Sequence, residues 1–162
     1  MGKKLEIKID VEVVETESDL DESWQVLLQK AKACSYNAYA PYSDFHVGAA
    51  VLLDNNIVIT GNNQENAVYP TGLCAERVAL FSANSQYPDN SVKRIAVVAQ
   101  KGKNGKFLPA TPCGSCRQVI SEYEMKGKAP VQILMLAPDH TIYIVNSADD
   151  LLPLKFSQDS LY

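Results

Sequence analysis

The chain has 162 residues, and at roughly 100–200 residues per domain the expectation is a single domain spanning 1–162. Lysine and arginine number 15 against 19 aspartates and glutamates, a net charge of −4, which excludes a strongly basic nucleic-acid surface as its main character. Apolar residues make up 46% and charged residues 21%, the mix of a globular domain rather than a disordered chain.

No apolar run approaches the roughly 18–20 residues of a membrane span. The start, Lys3-Lys4-Leu5-Glu6, has no apolar region of a signal peptide. The expectation is therefore a cytoplasmic protein with no membrane and no nucleic-acid partner. Four cysteines are too few for a disulfide scaffold. In a reducing compartment, clustered cysteines point to a metal or to redox chemistry.

Leu5, Ile7, Ile9, Val11 and Val13 alternate with polar residues, which predicts a strand over 5–14 with one buried face. This strand belongs to an N-terminal extension, 1–17. An acidic stretch, 15–22, reads as a solvated helix start, with Ser18-x-x-Asp21 as a capping box. Leu20, Trp24, Leu27, Leu28, Ala31 and Ala38 follow helical spacing up to Pro41. Residues 46–53 and 57–60 predict a hairpin around Asp54-Asn55-Asn56. A polar loop, 61–73, leads into a helix over 74–83. The apolar run 95–99 is a buried strand, and 101–112 is a loop. A helix follows over 114–124, then a hairpin of 131–137 and 141–145 around Pro138-Asp139. Strands alternating with helices predict an α/β domain, a three-layer α/β/α arrangement with a mixed sheet.

Two segments concentrate the chemistry: Cys74-Ala75-Glu76-Arg77 and Pro112-Cys113-Gly114-Ser115-Cys116-Arg117. Each sits where a loop becomes a helix. A catalytic zinc site on Cys74, Cys113 and Cys116 would leave the fourth tetrahedral position open. It would also place thiolates at helix N-termini, where the dipole favours negative charge. Glu76, two residues from a ligand, would then be the general base. A closed four-cysteine site would recruit Cys34, although an isolated cysteine on an amphipathic helix reads as core filler. A redox dithiol at Cys113 and Cys116 is the third reading, and it gives Cys74 and Glu76 no role. His46, in a strand, and His140, in a turn, stand apart from these motifs and read as structural or exposed.

C-A-E followed by P-C-x-x-C resembles the zinc-deaminase signature. With cysteine as the first ligand, the chain resembles the small cytidine deaminases from about residue 36 onward. Tyr39-Ala40-Pro41-Tyr42-Ser43-x-Phe45-x-Val47-Gly48-Ala49-Ala50 is similar to that family's opening motif. Asn63-x-Glu65-Asn66-Ala67 is similar to its ribose-binding motif, and Leu151-Leu152-Pro153-x-x-Phe156 to its C-terminal motif. The N-terminal strand precedes the family's usual start, and Tyr69-Pro70-Thr71-Gly72-Leu73 differs from the commoner residues before the first ligand.

The resemblance implies one Zn²⁺ per subunit on Cys74, Cys113 and Cys116, with Glu76 as the catalytic acid–base. The implied reaction converts cytidine or deoxycytidine to uridine or deoxyuridine, in pyrimidine salvage. Asn63 and Glu65 would hold the ribose hydroxyls, Phe45 would pack on the base, and the Ala75 backbone N–H would meet the pyrimidine O2. Three thiolates overcompensate a divalent zinc. Two helix N-termini, worth roughly +0.5 charge each, and Arg77, bonded to the thiolate sulfurs, would offset the excess. Tyr69 and Phe156 would reach a neighbouring subunit's site, which implies a homotetramer. A deaminase of aminonucleoside antibiotics, the blasticidin S type, shares the same two zinc motifs and is the alternative.

Overall fold

In the computed structural model, residues 2–161 are described. The apolar runs assemble into a seven-stranded mixed sheet of β1 (Val11–Val14), β2 (Phe45–Leu53), β3 (Val58–Asn62), β4 (Val92–Lys101), β5 (Phe107–Leu108), β6 (Gln132–Leu136) and β7 (Ile142–Val145). The order is β1-β7-β6-β4-β2-β3, with β5 added beside β4. Only β4 and β6 run parallel, with Ile95 opposite Ile133; the other pairs are antiparallel. A parallel pair needs a crossover, and α3 (Gly114–Gly127) supplies it.

Central strands are buried on both faces, which is why 95–99 reads as continuously apolar. Alternate residues feed two cores. On one side α1 (Glu22–Ser35) packs Trp24, Leu27, Leu28 and Ala31 against Ala50, Ala96, Val98 and Leu134. On the other, Ala79 and Leu80 of α2 (Ala75–Gln86) and Ile120 of α3 pack against Ala49, Val51, Ile95, Val97 and Ile133. The expected three-layer α/β/α arrangement is the one found.

Several local expectations need correction. The N-terminal strand is confined to Val11–Val14, and its alternating apolar residues are exposed; only Val14 is buried. The reason is its partner's length. Val11 pairs with Val145, the last residue of β7. Just beyond, Ser147 caps a short helix, α4 (Ala148–Leu151), so residues 5–10 have no strand of their own chain to join. Ser18 does not begin α1. Thr16 and Asp19 form the capping box of a 3₁₀ turn at Glu17–Asp19, and Asp21 caps α1 by accepting from the Trp24 N–H at 2.8 Å. The helix ends at Ser35, so Ala38 is buried outside it. The two-residue β5 and the four-residue α4 are too short to carry a period, and the sequence reading missed both.

Two glycines set the layer spacing. A Cβ on Gly48 would strike the Ala31 carbonyl of α1. One on Gly61 would strike the Ala79 N–H and lie 2.7 Å from the Ala75 carbonyl of α2. The helix that carries Glu76 therefore lies against β3 backbone to backbone.

Candidate active site

Both cysteine segments arrive at the same end of the sheet. Cys74 is the N-cap of α2 and Cys113 the N-cap of α3, and neither side chain caps its helix by hydrogen bonding. Serine or aspartate at an N-cap would spend its oxygen on the first-turn N–H groups; these sulfurs are turned toward each other instead. The Sγ atoms of Cys74 and Cys113 lie 3.9 Å apart, and those of Cys113 and Cys116 lie 3.5 Å apart. All three fall within 4.8 Å of one another. Tetrahedral zinc with ~2.3 Å bonds to sulfur requires a separation of about 3.8 Å. The three soft donors thus fit zinc in both chemistry and spacing. Cys116 is buried, Cys74 half-buried and Cys113 exposed, so the cluster forms part of a wall and leaves one side open.

That side faces a cavity of about 890 Å³, within the usual range for small-molecule sites. Glu76, Arg77, Asn63, Glu65 and Phe45 line it together with Cys74 and Cys113. Glu76 is buried, and burial raises its carboxyl pKa, with the Cys74 sulfur adding to the effect. Arg77 Nη2 donates to Cys74 Sγ at 3.7 Å. The hydrogen bond from Cys116 and the contact with Arg77 lower the Cys74 thiol from its ordinary value.

The two loop residues are already engaged by the protein. Asn63 Nδ2 donates to the Phe45 carbonyl at 2.9 Å, and its Oδ1 accepts from the Val47 N–H at 2.7 Å. This fixes the amide along β2 and leaves one N–H and one lone pair free. The Glu65 carboxylate accepts from the Tyr42 N–H at 2.9 Å, the Ser43 N–H at 3.3 Å and the Ser43 hydroxyl. Ala75 is fully buried in the first turn of α2 and is not among the residues that line the cavity. Tyr69 stands at the rim on a 3₁₀ turn, Tyr69–Thr71, with its ring edge-on to Tyr42 at 5.9 Å. Phe156 is not among the cavity's lining residues. It is 61% exposed, and its carbonyl accepts from Gln118 Nε2 at 2.9 Å.

Among the described residues the metal-competent cluster is Cys74, Cys113 and Cys116. The closed four-cysteine reading fails, because the Cys34 thiol instead donates to carbonyls of Ala31 and Gly61, at 3.3 and 3.1 Å. Arg117 is also not a cavity residue. It donates to the carbonyls of Pro112 and Leu151, both at 2.8 Å, and holds the C-terminal turn against the start of α3. His46 is buried beside Asp44, and His140 is exposed in the last hairpin turn. The clamp of Tyr42 and Ser43 on Glu65 has no signal in the sequence beyond the motif that contains both. The wall formed by Pro109, Ala110 and Thr111 has none, because β5 and the Ala110–Leu136 bridge that place it are too short to predict.

The family model for the cytidine and deoxycytidylate deaminase zinc-binding region matches residues 21–129, more than half of the chain. The chain belongs to this deaminase family. A cytidine deaminase from Sporosarcina psychrophila is 40% identical over 135 residues, covering 83% of this chain and 92% of that protein. The crystal structure of cytidine deaminase from Burkholderia pseudomallei superposes with a TM-score of 0.68 at 40% identity, covering 81% of this chain and 97% of that one. A blasticidin-S deaminase from Bacillus cereus is more distant, at 25% identity over 116 residues, 70% of this chain and 79% of that protein. The antibiotic-deaminase alternative is the weaker likeness of the two. No described helix of this family member is long and apolar enough to cross a membrane.

Proposed function

We propose that the chain catalyses the hydrolytic deamination of cytidine and deoxycytidine to uridine and deoxyuridine. It would serve pyrimidine salvage in the cytoplasm, as one domain over 1–162 with an extension at 1–17. The observation that carries the reading is a buried glutamate, Glu76, beside three convergent cysteine sulfurs at the wall of a cavity of about 890 Å³. Cys74, Cys113 and Cys116 would hold one zinc ion per subunit. When bound, zinc lowers the pKa of a water at its open position and makes it a nucleophile at neutral pH.

Glu76 does the proton work. Its carboxylate would take one proton of the attacking water and pass it to ring N3, then take the second from the hydroxyl newly attached to C4 and give it to the 4-amino group, which leaves as ammonia. Cytidine and water become uridine and ammonia, and Glu76 returns to its starting state. Burial supports this role, since a raised pKa lets the carboxyl hold a transferred proton between steps. Arg77 sets its positive charge against Cys74 Sγ and offsets the excess of thiolate charge. Phe45 would pack on the base and the Ala75 N–H would meet O2. The free N–H of Asn63 and the Glu65 carboxylate would bond the ribose hydroxyls. Tyr69, exposed at the rim, and Phe156, away from this chain's own cavity, would serve a neighbouring subunit of a homotetramer.

The cavity favours free nucleosides over 5′-monophosphates. Arg77 is its only cationic lining residue among those described, and it is committed to Cys74. Lys101 donates to the Ser43 carbonyl at 2.8 Å, behind the Glu65 clamp. A phosphate dianion would meet Glu65 without a compensating cation. The expected result is rapid absorbance loss with cytidine, and a kcat/KM for cytidine 5′-monophosphate lower by at least about a hundredfold, or ~2.7 kcal/mol. Comparable values would refute the nucleoside reading, and no turnover of either would refute the deaminase reading of this site.

A further inference from the structure

Residues 2–10 have no assigned helix or strand, and all are exposed. They lie outside the family match, which begins at residue 21. The apolar row Leu5, Ile7, Ile9, Val11 and Val13 is exposed throughout, from 41% at Val11 to 71% at Leu5. Its last two members sit in β1, whose edge away from β7 has no neighbouring strand. A run of apolar residues at period two beside an open edge is a strand that lacks a partner.

Residues of the other parity identify the partner. Lys4, Glu6, Lys8, Asp10 and Glu12 alternate in sign up to Asp10. Charges that merely protect an edge need no such order. In an antiparallel pair, directly opposed residues share a face, so two copies keep their apolar faces together only in registers centred on a residue. Centring on Ile7 sets Lys4 against Asp10 and Glu6 against Lys8, twice each, with Leu5 against Ile9 and Ile7 against itself. Centring on Glu6 opposes Lys4 to Lys8 and Glu6 to its own copy. Centring on Lys8 opposes Glu6 to Asp10, and centring on Ile9 opposes Glu6 to Glu12. Centring on Leu5 sets Ile7 against Lys3. Over residues 4–10 the Ile7 register alone among these matches both parities throughout; Lys3 then lies beyond that span, opposite Val11, whereas centring on Leu5 pairs no more than residues 4–6 within it.

We propose that residues 4–10 are a homotypic docking strand. A second copy of this chain pairs with it antiparallel about Ile7, and the two sheets join edge to edge through β1. The pairing is two-fold and closed. It sets the apolar rows of the two copies side by side on one face of the joined sheet.

Cross-linking in the full-length, metal-loaded protein tests the register. Ile7→Cys places two thiols opposite each other, whereas Leu5→Cys faces Ile9 of the other copy. Mild oxidation is expected to give covalent chain dimers from Ile7→Cys, at least about tenfold above Leu5→Cys alone. Leu5→Cys mixed with Ile9→Cys should cross-link again. Charge tests the partner. Glu6→Lys or Lys8→Glu alone should weaken association in sedimentation by roughly tenfold. The double variant, or an equimolar mixture of the two single variants, should restore it. Equal cross-linking from Ile7→Cys and Leu5→Cys overturns the proposal, as do single-charge variants that associate as tightly as the double variant.

Discussion

Glu76 and Glu65 line the same cavity, and their surroundings drive their acidities in opposite directions. Burial raises Glu76, while the Ser43 hydroxyl, with the N–H groups of Tyr42 and Ser43, lowers Glu65. Glu76→Gln keeps the shape and removes the base. Turnover should fall by about 10²–10⁴-fold or more, with zinc content by metal analysis unchanged; joint loss of metal and activity would make Glu76 structural instead. Glu65 predicts a pH dependence. A carboxyl whose folded pKa is depressed stabilises the fold above its unfolded value, about 4.3, and loses that contribution as pH falls through the lower folded value. The Tyr42–Ser43 clamp should therefore persist at neutral pH and open only below the ordinary glutamate range. A ¹³C titration of the Glu65 carboxyl checks this, and a midpoint at or above the ordinary value would contradict the clamp.

At the scale of elements, the site is two helix N-termini aimed at one point. Each contributes roughly +0.5 charge toward the sulfurs, and neither N-cap spends its side chain on its own helix. The aim depends on how closely α2 approaches the sheet, and Gly61 sets that distance. Gly61→Ala should push the Ala75–Ala79 turn outward, because the new methyl meets backbone atoms of Ala75 and Ala79. The expected cost is about 1–3 kcal/mol in a urea melt, together with weakened zinc retention, because Cys74 begins this helix. A stable variant with normal metal content would show that α2 has slack there.

For the whole molecule, Phe156 stands outside the cavity of its own chain. That ring lies exposed on the C-terminal segment, which Gln118 and Arg117 hold through the Phe156 and Leu151 carbonyls. A ring anchored on its backbone side and free on its apolar side is available to a neighbouring subunit. Light scattering should give about four times the 17.8 kDa chain mass, and Phe156→Ala should raise KM more than it lowers kcat. A fully active monomer would remove the shared-site argument.

The two cysteine motifs and the order of layers are legible in local pattern. Cysteine at two loop-to-helix junctions, with glutamate two residues after the first, specifies ligand types and helix positions locally. Period-two and period-3.6 patterns then separate strands from helices. Tertiary structure decided what depends on partners distant in the chain. Residues 5–10 have the pattern of a strand but no strand beside them, because β7 ends at Val145 and α4 follows. Arg117 follows Cys116 in the second cysteine segment, and its side chain turns to the Pro112 and Leu151 carbonyls. The resemblance implies ribose contacts for Asn63 and Glu65 but not their anchorage, and backbone donors and acceptors of 42–47 orient both. Local pattern determines which face a residue occupies. What stands opposite that face is set only when the sheet is assembled.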